Sequence, residues 1–132
     1  MLPETLRLAD AHRTEIIEHC LKGAPNEACG LIATSEGSVK KVYGTANADE
    51  SPAGYTVPPQ EHFQALTDAE KRGWQIGGVF HSHPDGPARP SRIDVQSALD
   101  PEWIYLVVGM SDDPELRAWR IREKEISEVV LV

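Results

Sequence analysis

The stretch GGVFHSHPDGPARPSRID, residues 77–94, runs from an apolar strand through a proline- and glycine-rich loop into a helix start. The strand predicted over 74–80 leads directly into His81 and His83. Side chains alternate between the two faces of a strand, so these two imidazoles point to the same face. Two neighbouring imidazoles can share one cation without distortion of the backbone. Taken alone, the pair is also consistent with two surface histidines that share no ligand.

Ser91 and Asp94 begin the helix that follows. The pattern Ser-x-x-Asp before an apolar helix is typical of a capping box, in which each side chain bonds the other residue's backbone N–H. After the seven-residue loop 84–90, a carboxylate in the first helical turn is also able to return to the strand end. Asp94 would then complete a set with His81 and His83. Three such ligands, with a fourth position left to water, form the open, catalytic type of zinc site, and the sequence offers no fourth protein ligand nearby.

A water activated by zinc also needs a base that takes its proton and later gives it to the leaving amine. The local segment offers only Asp85, which lies in the loop. The best candidate elsewhere is Glu27 in PNEACG, residues 25–30, between a helix end and a buried strand, where a carboxylate is unusual. From the residues alone, the favoured interpretation of Glu27 is a solvated loop residue.

The order of these residues resembles the complete signature of the JAMM (MPN-plus) zinc metallopeptidases, in particular the small stand-alone prokaryotic members that process sulfur carriers. The resemblance extends over roughly residues 10–110 and includes EACGLI, GGVFHSHP, PSRID and WIYLVV in the family's order. The five signature positions, all without substitution, are Glu27, His81, His83, Ser91 and Asp94.

The resemblance implies a role for each signature residue. It makes His81, His83 and Asp94 the ligands of one zinc ion per chain. It makes Glu27 the general acid/base and Ser91 the hydrogen-bond donor to the developing oxyanion. A metal and a preorganised donor are what amide hydrolysis requires, because negative charge builds up on the former carbonyl oxygen.

The resemblance further implies a substrate. JAMM enzymes cleave the peptide or isopeptide bond after the C-terminal Gly-Gly of ubiquitin-like proteins, and the small prokaryotic members imply a ubiquitin-like sulfur carrier as partner. Such a tail binds well as an added strand. We expect segments 47–61 and 84–90 to form the walls of the channel, with Tyr55 or Trp103 as candidates to line it. The sequence leaves a homodimer open.

Length, composition and charge limit the number of domains, the partners and the cellular location that we expect. With 132 residues the chain is expected to form one domain, 1–132, and with a net charge of −8 it is not expected to bind nucleic acid, whose phosphates need a basic face. It has no apolar stretch of membrane length and no signal-peptide pattern, so we expect a cytoplasmic protein without membrane contact. Cys20 and Cys29 belong to no CxxC pair and are expected to be reduced, although a disulfide between them stays open.

The pattern of apolar residues predicts strands that alternate with helices, which indicates an α/β (α+β) mixed sheet flanked by helices. Asp10 is the predicted N-cap of the first helix. The resemblance adds a cytidine-deaminase-like arrangement. The predicted strands are 5–9, 28–34, 39–46, 74–80, 103–110, 116–121 and 126–132, and the predicted helices are 10–23, 59–73 and 91–99.

Other functions remain as alternatives. A catalytically silent MPN-type scaffold would lack ligands or the glutamate, whereas this chain keeps all five signature residues. A zinc nucleobase deaminase would need a Pro-Cys-x-x-Cys element, which is absent. A DNA-processing role fits poorly with the acidic charge.

Overall fold

The computed structural model describes residues 2–132, which form one mixed sheet with three helices. The strands are β1 (Thr5–Leu6), β2 (Cys29–Ser35), β3 (Ser38–Thr45), β4 (Gln75–His83), β5 (Ile104–Gly109), β6 (Glu115–Arg122) and β7 (Glu125–Leu131). The helices are α1 (Asp10–Gly23), α2 (Pro59–Lys71) and α3 (Arg92–Ser97). The predicted class, a mixed sheet flanked by helices, is confirmed.

The seven strands are arranged in the order β1-β7-β6-β5-β4-β2-β3. β4 pairs in parallel with β5, and β1 in parallel with β7, while the other pairs are antiparallel. A parallel pair cannot be joined by a tight turn, so the chain must cross over between β4 and β5. That crossover contains the loop 84–90 and α3.

The core lies on both faces of the sheet. α1 packs through Ile16 and Cys20 on the face that contains Phe80 and Leu106. α2 packs through Ala65 and Ala69 on the opposite face. Val79 belongs to this second core, and His81 and His83 follow it with the same strand alternation. The two histidines therefore lie on the α2 side.

The N-terminal segment joins the two ends of the sheet. Thr5 and Leu6 pair with β7, and the next residue, Arg7, forms a parallel bridge to Ser38 of β3. The backbone N–H of Arg7 donates to Gly37 O (2.9 Å), and its guanidinium Nε donates to Ser38 Oγ (2.8 Å). The segment 5–7 therefore links the β1 end of the sheet to β3 at the other end, and the sheet is curled.

Several predicted boundaries shift in the structure. Asp10 is wrong as the N-cap, because Ala9 occupies that position without a side-chain bond and Asp10 is the first helical residue, where its carboxylate faces the positive end of the helix dipole. α3 ends at Ser97 rather than near residue 99, since the backbone is already extended at Ala98. β4 continues through His83, because its pairing with β5 extends to Gly109.

Two further predictions concern the cysteines and contact with a membrane. Cys20 and Cys29 are both free and buried in the structure. Among the described residues, no helix is long and apolar enough to span a membrane.

Candidate active site

The register of β2 against β4 determines where Glu27 lies. Cys29 is paired with His81 in this antiparallel pair, so the same register places Glu27 opposite His83. The intervening residues reinforce it: Ser82 N–H donates to Ala28 O (3.0 Å), and Ala28 N–H donates to Ser82 Oγ (2.9 Å). Ser82 thus points away from the histidine face, as expected, and fixes the chain beside Glu27.

His81, His83 and Asp94 converge on one point. The two Nε2 atoms lie 3.1 Å apart, and Asp94 Oδ2 lies 3.1 Å from His81 Nε2 and 2.9 Å from His83 Nε2. These three residues form a group that could hold a metal ion. Two imidazole nitrogens and a carboxylate oxygen are a donor set that zinc prefers.

The capping box of α3 brings Asp94 to the histidines. Ser91 Oγ accepts from Asp94 N–H (3.1 Å), and Ser91 N–H donates to Asp94 Oδ2 (2.8 Å). The Oδ2 atom that completes the cap is also the atom that faces both imidazoles. The capping and ligand interpretations of Asp94 are therefore compatible in one side-chain position.

The second nitrogen of His83 is bound by the loop that follows it. Nδ1 lies 2.9 Å from Pro87 O, an acceptor only, so Nδ1 carries a proton and Nε2 is the nitrogen that faces Asp94 and His81. The loop itself is attached to the sheet: Trp119 Nε1–H donates to Ala88 O (3.1 Å). Gly109 permits this approach, since a Cβ there would lie 2.8 Å from Ala88 N.

His81 is held mainly by packing. Its ring stacks on Tyr55 with centroids 4.4 Å apart and planes 21° apart. Its Nδ1 is buried and has no hydrogen-bond partner among the described residues. Burial lowers the pKa of His81, which favours the neutral imidazole that a metal ligand must be.

The surroundings shift the pKa values of Asp94 and His83 in opposite directions. Burial opposes ionisation of Asp94, but hydrogen bonds from His81 and His83 and from the Ser91 backbone outweigh it and lower its pKa. Burial likewise opposes protonation of His83, but the bonds to Asp94 and Pro87 outweigh it and raise its pKa. Asp94 is therefore an anion at neutral pH and is able to offer its oxygen to a cation.

Glu27 is a buried carboxylate with an exposed fraction of 8%. Its Oε1 has no hydrogen-bond partner among the described residues. Burial raises the pKa of Glu27 to about 7, the nearby His83 lowers it, and Asp94 and Asp49 raise it further. A carboxyl group with a pKa near neutrality exchanges protons readily in both directions, as a general acid/base must.

The irregular segment 47–57 is organised around Glu27 by Asn47. The Asn47 amide donates to Glu27 O (2.9 Å) and to Gly54 O (3.0 Å), and its Oδ1 accepts from Thr56 N–H (3.0 Å). Asn47 is not among the predicted site residues, although an asparagine at the start of a turn-rich segment is a signal for such bonds. The Pro87 carbonyl and Trp119 were also missed, because nothing local in the sequence indicates their partners.

One cleft of about 350 Å³, which we call the proline-lined cleft, contains three of the predicted site residues: Glu27, His83 and Ser91. Both segments that were expected to form channel walls contribute to it. Its other lining residues are Pro52, Ala53, Pro84, Asp85, Gly86, Pro87, Arg89, Pro90 and Ile93.

Two more clefts, which we call the apolar clefts, adjoin each other, and one of them is lined by Asp94. They share Tyr55, Ser97, Leu99 and Tyr105, and the other one includes Trp103. Leu99 is 91% exposed. Tyr55 and Trp103 therefore both line surface clefts, and Tyr55 also contacts a predicted metal ligand.

Glu27 should destabilise the metal-free protein as pH rises. Its pKa is near 4.5 when unfolded and about 7 when folded, so the folded state binds the proton more tightly between these values and the free energy of unfolding falls across that window. Glu27→Gln removes this fall and should gain on the order of 2 kcal/mol relative to the unchanged protein between pH 5 and pH 8. Denaturant titrations in the presence of chelator measure it.

Glu18→Gln, on the exposed side of α1, is the matched control and should leave the pH dependence as it is. Parallel pH profiles for the unchanged protein and Glu27→Gln would contradict the raised pKa of Glu27.

Comparison with known proteins gives consistent results. Residues 9–122 match the family of prokaryotic homologues of the JAB domain. A desampylase of Pyrococcus furiosus is 33% identical over 122 residues, with 92% of this chain and 86% of the relative covered. A CysO-cysteine peptidase of Mycobacterium tuberculosis is 33% identical, with 86% of this chain and 80% of the relative covered. A probable TtuB-protein conjugate cleaving protease of Thermus thermophilus is 34% identical, with 86% and 74% covered.

Solved structures agree on the fold. A protein from Desulfitobacterium hafniense superposes with a TM-score of 0.88 at 33% identity, covering 97% of this chain and 92% of its own. A JAB1/MPN domain protein from Archaeoglobus fulgidus superposes with a TM-score of 0.60 at 17% identity, covering 98% and 96%. The predicted enzyme class, a peptidase of the JAMM type, is confirmed. The chain belongs to the family of prokaryotic homologues of the JAB domain.

Proposed function

We propose that this protein is a zinc-dependent peptidase that hydrolyses the amide bond after the C-terminal Gly-Gly of a ubiquitin-like or sulfur-carrier protein. One observation carries the proposal: three metal-binding atoms converge at one point, while Glu27 and Ser91 line the cleft that also contains His83. A hydrolase of this type needs these groups and no organic cofactor.

His81, His83 and Asp94 would hold the zinc ion. The neutral imidazole of His81, the Nε2 lone pair of His83 and the anionic Asp94 are prepared for that role by burial, by the Pro87 carbonyl and by the capping box. When bound, zinc acidifies a water molecule and polarises the substrate carbonyl. With three protein ligands, a fourth position stays available for water.

Glu27 moves the proton. Its carboxylate takes a proton from the attacking water, and the resulting carboxylic acid then gives that proton to the amide nitrogen as the C–N bond breaks. The carrier keeps a new C-terminal carboxylate, and the leaving group departs as an amine. Burial supports both steps, because a pKa of about 7 leaves Glu27 able to accept and donate near neutral pH.

Ser91 stabilises the oxyanion. In the capping box its oxygen only accepts, from Asp94 N–H, so its hydroxyl proton is free to donate. The residue is exposed at the mouth of the proline-lined cleft. The carbonyl oxygen of the substrate gains negative charge as water adds, and a donor positioned there stabilises that charge.

The relatives support the substrate class. One is named for the removal of a ubiquitin-like modifier, one for cleavage of a carrier–cysteine adduct, and one for cleavage of protein conjugates. The apolar clefts suit the carrier tail, since exposed Ile93 and Leu99 offer apolar surface next to Asp94. The tail would reach the metal site from there, and the leaving group would occupy the proline-lined cleft beside Glu27.

Removal of a ligand should remove the metal. His81→Ala or Asp94→Asn should weaken zinc binding by more than about 100-fold, since loss of a residue that merely supports a ligand already costs 10- to 100-fold. Asp94→Asn can still accept from Ser91 N–H, so the cap of α3 is preserved. Metal analysis after dialysis measures zinc per chain. His12→Ala, on α1 across the sheet, is the control and should keep its zinc, and a full complement in Asp94→Asn would contradict the ligand assignment.

Loss of the base should separate catalysis from binding. Glu27→Gln should retain zinc but lower hydrolysis by about 100- to 10,000-fold. The assay incubates a Gly-Gly-ending carrier extended by one residue and follows release by intact mass. Glu50→Gln, an exposed carboxylate of the same segment, should cleave at the rate of the unchanged protein. Substantial activity in Glu27→Gln would sink the assignment of the base.

Loss of the hydroxyl at position 91 should lower turnover. Ser91→Ala should reduce kcat by about 100-fold with little change in KM, as expected for one lost oxyanion donor. Zinc content should be unchanged, because the bond to Asp94 Oδ2 comes from the backbone N–H, which alanine keeps. A change confined to KM would instead assign Ser91 to substrate binding.

A further inference from the structure

The proline-lined cleft contains one lysine or arginine side chain among its described lining residues, that of Arg89. The other charged side chains that line it, apart from His83, are the carboxylates of Glu27 and Asp85. In a chain with a net charge of −8, a single arginine in the cleft that also contains the proposed base is the distinctive electrostatic feature of this cleft. The contacts of the Arg89 guanidinium indicate which ligand it is able to bind.

Arg89 has no ion-pair partner within residues 2–132, although a carboxylate lies nearby. Glu128 is already engaged by Arg117, with bonds of 2.6 and 2.8 Å to the Arg117 guanidinium. Arg89 itself is exposed. An arginine without a carboxylate partner retains its N–H donors for a ligand.

The position of Arg89 is fixed by an aromatic ring. Its guanidinium carbon lies 5.4 Å from the centroid of Trp119, which is only 3% exposed. The same indole bonds Ala88 O, so both the backbone before Arg89 and its guanidinium are held by one side chain. A guanidinium that lies over an aromatic ring keeps N–H donors for contact with a carboxylate.

The chemistry of hydrolysis determines which part of the substrate meets this cation. Glu27 lines two clefts, and of these only the proline-lined cleft also contains His83 and Ser91. Because Glu27 must protonate the leaving amine next to the proposed metal site, we assign the leaving group to the proline-lined cleft. That cleft, about 350 Å³, is at the small end for ligand sites and has four prolines in its walls. It suits a group of about one amino acid.

We propose that Arg89 binds the α-carboxylate of a single amino acid attached through its amine to the C-terminal glycine of the carrier. The protein is then a processing peptidase for carrier–amino acid adducts, and it disfavours isopeptides to a lysine side chain, which have no carboxylate on the carbon attached to the scissile nitrogen. This inference rests on the proposed function. The amino acid leaves with the proton from Glu27 on its nitrogen, and water supplies the oxygen of the new glycine carboxylate.

The test compares three substrates made from one Gly-Gly carrier. The first is extended by one amino acid with a free carboxylate, the second by the same amino acid as its amide, and the third is joined to the Nε of a lysine. The unchanged protein should cleave the first about 10- to 100-fold better than the other two in kcat/KM, chiefly through KM, as one charge-assisted contact predicts.

Arg89→Gln should remove that preference by raising KM for the free-carboxylate substrate alone, and Arg89→Lys should keep part of it. Arg92→Gln is the matched control: it removes an exposed neighbouring charge that does not line the cleft and should preserve the preference.

Three results would overturn the inference. Equal cleavage of all three substrates by the unchanged protein would refute it and leave the proposed function intact. An equal loss on every substrate in Arg89→Gln would reassign Arg89 to support of the loop. No cleavage of any substrate by the zinc-loaded protein would refute the proposed function itself, and the inference with it.

Discussion

The antiparallel pairing of β2 with β4 is the constraint on which the site depends. A slip of one residue in such a pair moves every side chain to the other face. Here it would separate Glu27 from His83, which are 56 positions apart in the chain and share no other direct connection. The reciprocal hydrogen bonds between Ala28 and Ser82 fix the register at the end of this strand pair, next to Glu27 and the two histidines. Ser82, which lies between the two histidines and faces away from them, is therefore as necessary to the geometry as its neighbours.

The parallel pairing of β4 with β5 supplies the other half of the site. Since parallel strands need a crossover, the chain must leave the end of β4, pass over the sheet edge and return. The loop and α3 make that crossover, and the capping box turns Asp94 back toward the strand it came from. Formation of α3 already restricts the side chain of Asp94. Little further conformational entropy is therefore lost when it binds a cation. Folding of α3 therefore also places Asp94 for the candidate metal site.

The sequence predicts those parts of the site that local geometry controls. Strand alternation is enough to place His81 and His83 on one face, and the Ser-x-x-Asp pattern is enough to predict the cap that the structure contains. Glu27 is different, because its proximity to His83 follows from the register of β2 against β4. In the sequence, only the family resemblance connects these two residues. Tyr55 against His81 and Trp119 against the loop were beyond local reasoning for the same reason: each joins segments that only the tertiary fold brings together.

The buried polar groups of the site also bear on the choice between an enzyme and a silent scaffold. Glu27 Oε1 and His81 Nδ1 are both buried without a partner among the described residues, and each such group costs stability that an apolar residue of similar size would not. Two of the three such atoms among the described residues therefore lie at one end of one strand pair, while the third, His12 Nδ1, lies on α1. Strain and unpaired polar groups persist where a function needs them, because mutation otherwise replaces them readily. A scaffold would use the surface of this fold and gain nothing from a buried carboxylate with a pKa near 7, whereas in the proposed hydrolase that carboxylate would act as the general acid/base.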